Sequence, residues 1–381
     1  MDFTLSEERR MLKETLARFL AENYPIEARH EHAASPIGYA PETWAQLAEL
    51  GVIGALFDET DGGFGGTGFD VITVFEELGR GLVNEPFLAT MLAGTLVAKL
   101  GKDEQKALLQ AVIAGETRLA LAHGEPESRY DPSHVTATAT RTAGGWRLDG
   151  VKSVALNADS ADVLIVSARV RGATWDEDGI SLFVVPATSQ GVSILGYPTA
   201  DGLHAAEVTL SGVSVGDNAL LGPDGEAFPE IEAVLARGAV ALSAEAVGLM
   251  EVCRDATIEY LQTRRQFGVP IGKFQALQHR MATVILEIEQ ARSSVINAAG
   301  QLDAPRAPRE RAAAAAKAMA GRIGRLVAEE AIQMHGGIAM TWEYAVGHYA
   351  KRLVMIDHQL GDVDHHTARF AALAAAAPKT G

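Results

Sequence analysis

The sequence predicts an α+β protein of more than one domain, helical at both ends and β in the middle. Three observations carry this. Residues 1–115 repeat apolar side chains at spacings of three and four. Near Thr117 that spacing gives way to short alternating runs, and from Phe228 helical spacing returns. At 381 residues the chain is also too long for one ordinary core.

Ser6 before Glu7-Glu8, followed by Met11-Leu12, Leu16 and Phe19-Leu20, reads as a capped amphipathic helix. Residues 43–50 read as a second helix closed by Gly51. The segment Asp61-Gly62-Gly63-Phe64-Gly65-Gly66-Thr67-Gly68 is too rich in glycine for helix or strand, so a loop is expected there. Helices are expected again over residues 69–82 and 87–100. Alternation over residues 134–140, glycine punctuation over 144–150, and the runs 163–166, 182–186 and 208–210 predict a small β-domain, a barrel or sandwich, ending near Pro223. Beyond Phe228, the residues Phe274, Leu277, Met281, Val284 and Ile288 form an apolar stripe opposite Arg280, Glu287 and Glu289. The alanines at 312–316 are strong helix formers suited to close helix contacts. Residues 371–381 are expected to fray. The expected domains are therefore 1–115, 116–223 and 224–381, with no internal repeat.

Composition excludes several functions. Hydrophobic residues at 48% and charged residues at 22% describe a globular chain. A net charge of -16 opposes a nucleic-acid surface, since phosphates need clustered cations. No uninterrupted apolar run approaches the ~20 residues of a membrane span. The acidic start and the single Cys253 fit a reducing, cytoplasmic setting.

Two segments carry the chemistry. Arg264-Arg265-Gln266-Phe267-Gly268-Val269-Pro270-Ile271-Gly272-Lys273-Phe274-Gln275 offers a guanidinium at the end of a long helix that Gly268 is expected to close. Gln333-Met334-His335-Gly336-Gly337 offers a helix end and a backbone free of Cβ atoms. Singly, each is explained by a solvated helix end or a helix stop. Jointly they fit a large anionic cofactor.

These segments resemble the flavin-binding signatures of the acyl-CoA dehydrogenase family. The resemblance extends over nearly the whole chain: Leu5-Ser6-Glu7-Glu8, Leu50-Gly51-Val52-Ile53-Gly54, Gly62-Gly63-Phe64-Gly65, Glu76-Glu77-Leu78, Glu125-Pro126 and Asp149-Gly150-Val151-Lys152 all match it. It implies an α-helical N-domain, a β-domain and a C-terminal four-helix bundle, with FAD held between domains and across a dimer interface. Arg264 and Phe267 would contact a neighbouring subunit's FAD, Gln333, Gly336 and Gly337 would serve the cofactor's other end, and Gln275 would lie nearby. The implied reaction takes a proton from Cα of an acyl-CoA and passes the Cβ hydride to flavin N5, then to an electron-transfer flavoprotein or similar acceptor.

The family's catalytic segment is altered. A Glu-Gly pair before a Thr is usual; here the order is Gln359-Leu360-Gly361-Asp362, with leucine at the glutamate position. Two acids remain as base candidates: Asp362, otherwise a surface or capping aspartate, and Glu245, otherwise a structural glutamate paired with Arg254 or another cation. Asp357-His358 and Asp362-x-Asp364-His365-His366 lack the converging frame a metal needs, so no metal is expected. The usual Gly-x-Gly-Ser-Asp is Glu127-Ser128-Arg129-Tyr130-Asp131, and the flavin-covering Trp-x-Thr is Val154-Ala155-Leu156. Three readings stay open: a dehydrogenase, alone with an unorthodox base or within a mixed complex; a related oxidase or hydroxylase; or a catalytically incomplete structural subunit that completes the FAD site of a larger homologous partner in a heterotetramer, as the resemblance to the smaller subunit of the pimeloyl-CoA or steroid type implies.

Overall fold

The computed structural model describes residues 6–376; Leu5 of the opening signature and residues 377–381 lie outside them. The chain divides into two compact units. One holds the chain up to Arg29, Thr67–Val83 and everything from Ala239 onward; the other holds His30–Gly66 and Asn84–Gly238.

In the first unit the expected cap forms: the Ser6 hydroxyl accepts the Arg9 amide at 3.3 Å and opens the helix Glu7–Asn23. The glycine-rich loop ends in a capping box, Thr67 with Asp70, that starts the helix Gly68–Gly81. This helix meets the long helix Phe228–Thr263 backbone to backbone. A Cβ on Gly79 would lie 2.2 Å from the Glu245 carbonyl oxygen, and one on Gly248 would lie 2.0 Å from that of Glu76. Around the crossing, Arg292 bridges Glu76 (2.8 Å) and Glu251 (2.6 Å), and Arg80 pairs with Glu251. The helix Phe228–Thr263 is long and apolar enough to cross a membrane, with a mean hydropathy of 1.5 over its best window, yet 83% of that window is buried inside the protein, as in a core helix.

The helices Gln275–Ala299, Arg306–His335, Val346–His358 and Val363–Ala376 complete the unit. The apolar stripe of the first of these begins at Met281 rather than Phe274, because Phe274 is the residue before the helix and is exposed. The last helix runs to Ala376, through residues expected to fray, since Arg369 pairs with the buried Glu310 at 2.8 Å.

The second unit carries β1 (Leu119–Ala122), β2 (Thr138–Thr142), β3 (Gly145–Leu156), β4 (Val163–Arg169), β5 (Ile180–Pro186), β6 (Val192–Pro198), β7 (His204–Val215) and β8 (Leu220–Leu221). They form one mixed sheet in the order β6-β7-β3-β2-β4-β5-β8, with β1 parallel to β4. All four residues of β1 are buried, so it shows no alternation in the sequence. Residues 134–137 are not strand, as alternation had implied; the Glu125 carboxylate takes the amides of Thr136 (2.7 Å) and Ala137 (3.0 Å) instead. Trp146 packs edge-on against Phe183 within the apolar core.

Under that core lies a buried ion pair. Lys152 Nζ donates to Glu125 Oε1 at 2.7 Å and also to the His123 carbonyl and Ser167 Oγ. Burial by itself raises the Glu125 pKa, but the Lys152 ammonium and the donors Thr136 and Ala137 outweigh it and hold the carboxyl at about 2. A carboxyl depressed on folding stabilises the fold above its unfolded value and loses that contribution as pH falls through the folded one. Unfolding free energy in urea is therefore expected to fall between about pH 5 and pH 2. The double variant Glu125→Gln/Lys152→Met should show a smaller fall over the same window. An identical fall in both proteins would remove Glu125 as its source.

Candidate functional site

The long helix stops at Thr263, and Gly268 does not close it. Arg265–Gln266 and Val269–Pro270 instead form a two-residue hairpin in which Val269 faces Gln266 and Pro270 faces Arg265. Both turn residues are left-handed, Phe267 at φ 52° and Gly268 at φ 80°. This lifts Phe267 into solvent, 90% exposed, where Phe274 meets it edge-on at 6.1 Å. Arg264 and Gln275 are both exposed at the base of this hairpin, and Arg264 forms no ion pair with a carboxylate among the described residues.

The helix Arg306–His335 ends at a Gly336 with φ 71° and ψ -148°, a conformation essentially confined to glycine. Gln333, Gly336 and Gly337 are exposed, and a Cβ on either glycine would meet nothing within 4 Å. His335 joins this end to the hairpin: its ring packs on Tyr260 at 4.6 Å, and the Tyr260 carbonyl accepts the Arg264 amide at 2.9 Å. The His335 Nδ1–H donates to the Ala331 carbonyl, while Nε2 is buried and without a partner. A free guanidinium, an exposed amide, an open glycine pair and an exposed aromatic ring suit an anionic dinucleotide such as FAD.

The base candidates lie elsewhere in the same unit. Glu245 is buried with both oxygens in the Arg352 fork, Nε to Oε1 at 2.5 Å and Nη2 to Oε2 at 2.7 Å; Arg254, its expected partner, pairs with Glu251 and Asp255. Asp362 caps the helix Val363–Ala376, its Oδ1 accepting the His365 amide at 2.8 Å. Between them Leu360 is left-handed at φ 55° and followed by Gly361 at φ 111°. Of the buried groups that hold this bend, sequence reasoning did not reach Arg352 and Lys317, and it weighed His366 only as a metal ligand. Their signal was faint: Lys317 is a lone cation inside an alanine run.

In the second unit, Arg129 is left-handed at φ 49°, at the position where the resembled motif has its second glycine. Val154 is left-handed at φ 52° in a β3 bulge, 57% exposed, with Ser153 Oγ and Tyr197 Oη both donating to Glu207 Oε1 nearby. Six described residues other than glycine have positive φ. Leu82 follows a helix and Asn157 is a tolerated residue type. The other four, Arg129, Val154, Phe267 and Leu360, fall one each in four of the five segments singled out for cofactor or chemistry. Such strain persists where function needs it.

Models of the acyl-CoA dehydrogenase N-terminal, middle and C-terminal domains match residues 6–116, 120–213 and 228–358. The probable acyl-CoA dehydrogenase YngJ of Bacillus subtilis (strain 168) is 31% identical over 354 residues, 91% of this chain and 92% of that protein. Butyryl-CoA dehydrogenase from Megasphaera elsdenii superposes with a TM-score of 0.90 at 26% identity, covering 98% of this chain and 100% of that one. A variant of the Tcur3481–Tcur3483 steroid ACAD superposes at 0.88 and 29% identity, covering 98% and 99%.

The two glycines of the turn should separate in a stability assay. Gly336→Ala is expected to cost about 1–3 kcal/mol in unfolding free energy through backbone strain alone. Gly337→Ala, with no positive φ and open space for its methyl, is expected to stay within about 0.5 kcal/mol. Equal losses would contradict the assigned turn geometry.

Proposed function

The chain belongs to the acyl-CoA dehydrogenase family, and we propose that it takes part in FAD-dependent α,β-dehydrogenation of an acyl-CoA thioester. The observation that carries this is the placing of four left-handed residues, Arg129, Val154, Phe267 and Leu360, in segments expected to serve cofactor and chemistry. In this reading the Arg264 guanidinium pairs with the FAD pyrophosphate, Phe267 covers an apolar part of it, Gln275 lies nearby, and Gln333 with the Gly336-Gly337 backbone takes its other end. FAD, when bound, supplies the hydride acceptor at N5. Fatty acyl or steroid side-chain thioesters are the substrate class, and an electron-transfer flavoprotein or similar protein accepts the electrons.

Proton abstraction needs a carboxylate against Cα. Leu360 has no proton acceptor, Glu245 has both oxygens taken up by the Arg352 fork, and Asp362 is committed to a helix cap. Leu360 therefore favours a second reading, that this chain is the incomplete subunit of a heterotetramer in which a larger homologous partner supplies the base. The likeness to a steroid ACAD named for two components, Tcur3481 and Tcur3483, supports that reading. A homo-oligomer using Asp362 is the competing arrangement.

Arg264→Ala should weaken FAD binding by about tenfold to a hundredfold through loss of a charge-assisted pair. Unchanged occupancy in titrations at low FAD would count against this site.

The isolated chain should dehydrogenate acyl-CoAs weakly or not at all with an artificial acceptor, a general base being worth about 10²–10⁴-fold. Leu360→Glu should install measurable turnover, and Asp362→Asn should leave it unchanged. Robust turnover by the unaltered chain, abolished by Asp362→Asn, would replace the partner-subunit reading with the competing one.

A further inference from the structure

Lys317 is completely buried on the helix Arg306–His335, in a run of small residues where an apolar side chain would pack without cost. Its ammonium donates to two backbone carbonyls, Gly361 at 2.7 Å and Asp357 at 3.2 Å, which flank the Leu360 bend. His366, also buried, donates from Nε2 to the Leu360 carbonyl at 2.8 Å, and its Nδ1 has no partner. From a third side Arg352 donates to Gln359 Oε1 at 2.8 Å. Space is as tightly set as hydrogen bonding: a Cβ on Gly361 would lie 2.4 Å from His366 Nε2.

A leucine in the left-handed region is strained, and such a residue persists only where its surroundings over-determine it. Here three buried polar side chains from three helices converge on four of the five residues 357–361, and the dehydrogenation reading gives none of them a task. We infer that Lys317 and His366 are positioning residues, which fix the backbone at Leu360 and so the direction in which residue 360 presents its side chain. The inference rests on the reading that this bend serves the reacting acyl group. It adds that the presenting device is complete in this chain although the side chain presented is apolar. Burial pushes the Lys317 ammonium down to about 8, against the carboxylates of Asp357 and Asp362, a cost that the bonds to the bend offset.

Hydrogen–deuterium exchange of the full chain tests this without requiring activity. In Lys317→Met the amides of Gln359 and Val363 should exchange at least about tenfold faster, with the helices Arg306–His335 and Val346–His358 otherwise as protected as before. His366→Leu should do the same, and His366→Gln, which keeps a donor, should restore protection. Unchanged exchange at the bend would overturn the inference; so would a loss of protection spread over all three helices in both Lys317→Met and His366→Leu, since that marks a merely structural role. In the Leu360→Glu background, Lys317→Met should lower kcat at least about tenfold at constant KM, and an unchanged kcat would also overturn it. If Leu360→Glu by itself shows no turnover while retaining FAD, the dehydrogenation reading fails, and the exchange results still decide the clamp.

Discussion

Glu245 and Arg352 share two hydrogen bonds inside the first unit, and the geometry around the candidate chemical segment hangs on that pair. The Glu245 backbone carbonyl is the atom that Gly79 approaches, so the residue is fixed by a helix crossing before its side chain is considered. Its carboxylate then sets the Arg352 fork, and the remaining Arg352 donor reaches Gln359, the residue preceding Leu360. Replacing both charges by apolar groups is often tolerated in proteins, whereas removing one partner leaves a buried charge and costs about 3–5 kcal/mol. Neither partner can be replaced alone here without leaving the other buried and unpaired, which suits a structural anchor.

The second unit uses the same device. Lys152 and Glu125 are buried, and Glu125 also receives two backbone amides and a hydroxyl. Those bonds turn residues 134–137 away from strand geometry. The same pair ties the Glu125 turn to β3 at Lys152, the residue immediately before its bulge at Ser153 and Val154. In both units, then, a buried cation fixes a turn whose tip carries a strained residue: Leu360 in one, Arg129 and Val154 in the other.

Strain of this kind is costly and must be supported, so its distribution is informative. Val154 is β-branched and Leu360 is bulky, both poor occupants of the left-handed region. Phe267 is held there by the hairpin turn, which explains why Gly268 follows it: the turn requires two successive left-handed residues, and glycine takes the second without cost. That turn chemistry was open to a reader of the sequence, but a long helix ending in two arginines suggested a helix stop more strongly.

Much of the architecture was legible in the chain alone. The order helical, β, helical follows from apolar periodicity, and the Ser6 cap and the buried stripe from Met281 follow from local chemistry. The segments around Arg264 and Gly336-Gly337 could be singled out as candidates for cofactor binding because a guanidinium, an amide and paired glycines carry their chemistry wherever they are placed. What the sequence could not decide was partnership between distant residues. Glu245 lies 107 positions from Arg352, and Lys317 lies 44 from Gly361. Periodicity reports only which face of an element is buried, not which element covers it. The fully buried β1 shows no pattern for the same reason: a strand covered on both faces has no polar side to alternate with. The residue types belong to the sequence; that the buried Glu245 carboxylate is half of an ion pair was decided only when tertiary packing brought Arg352 to it.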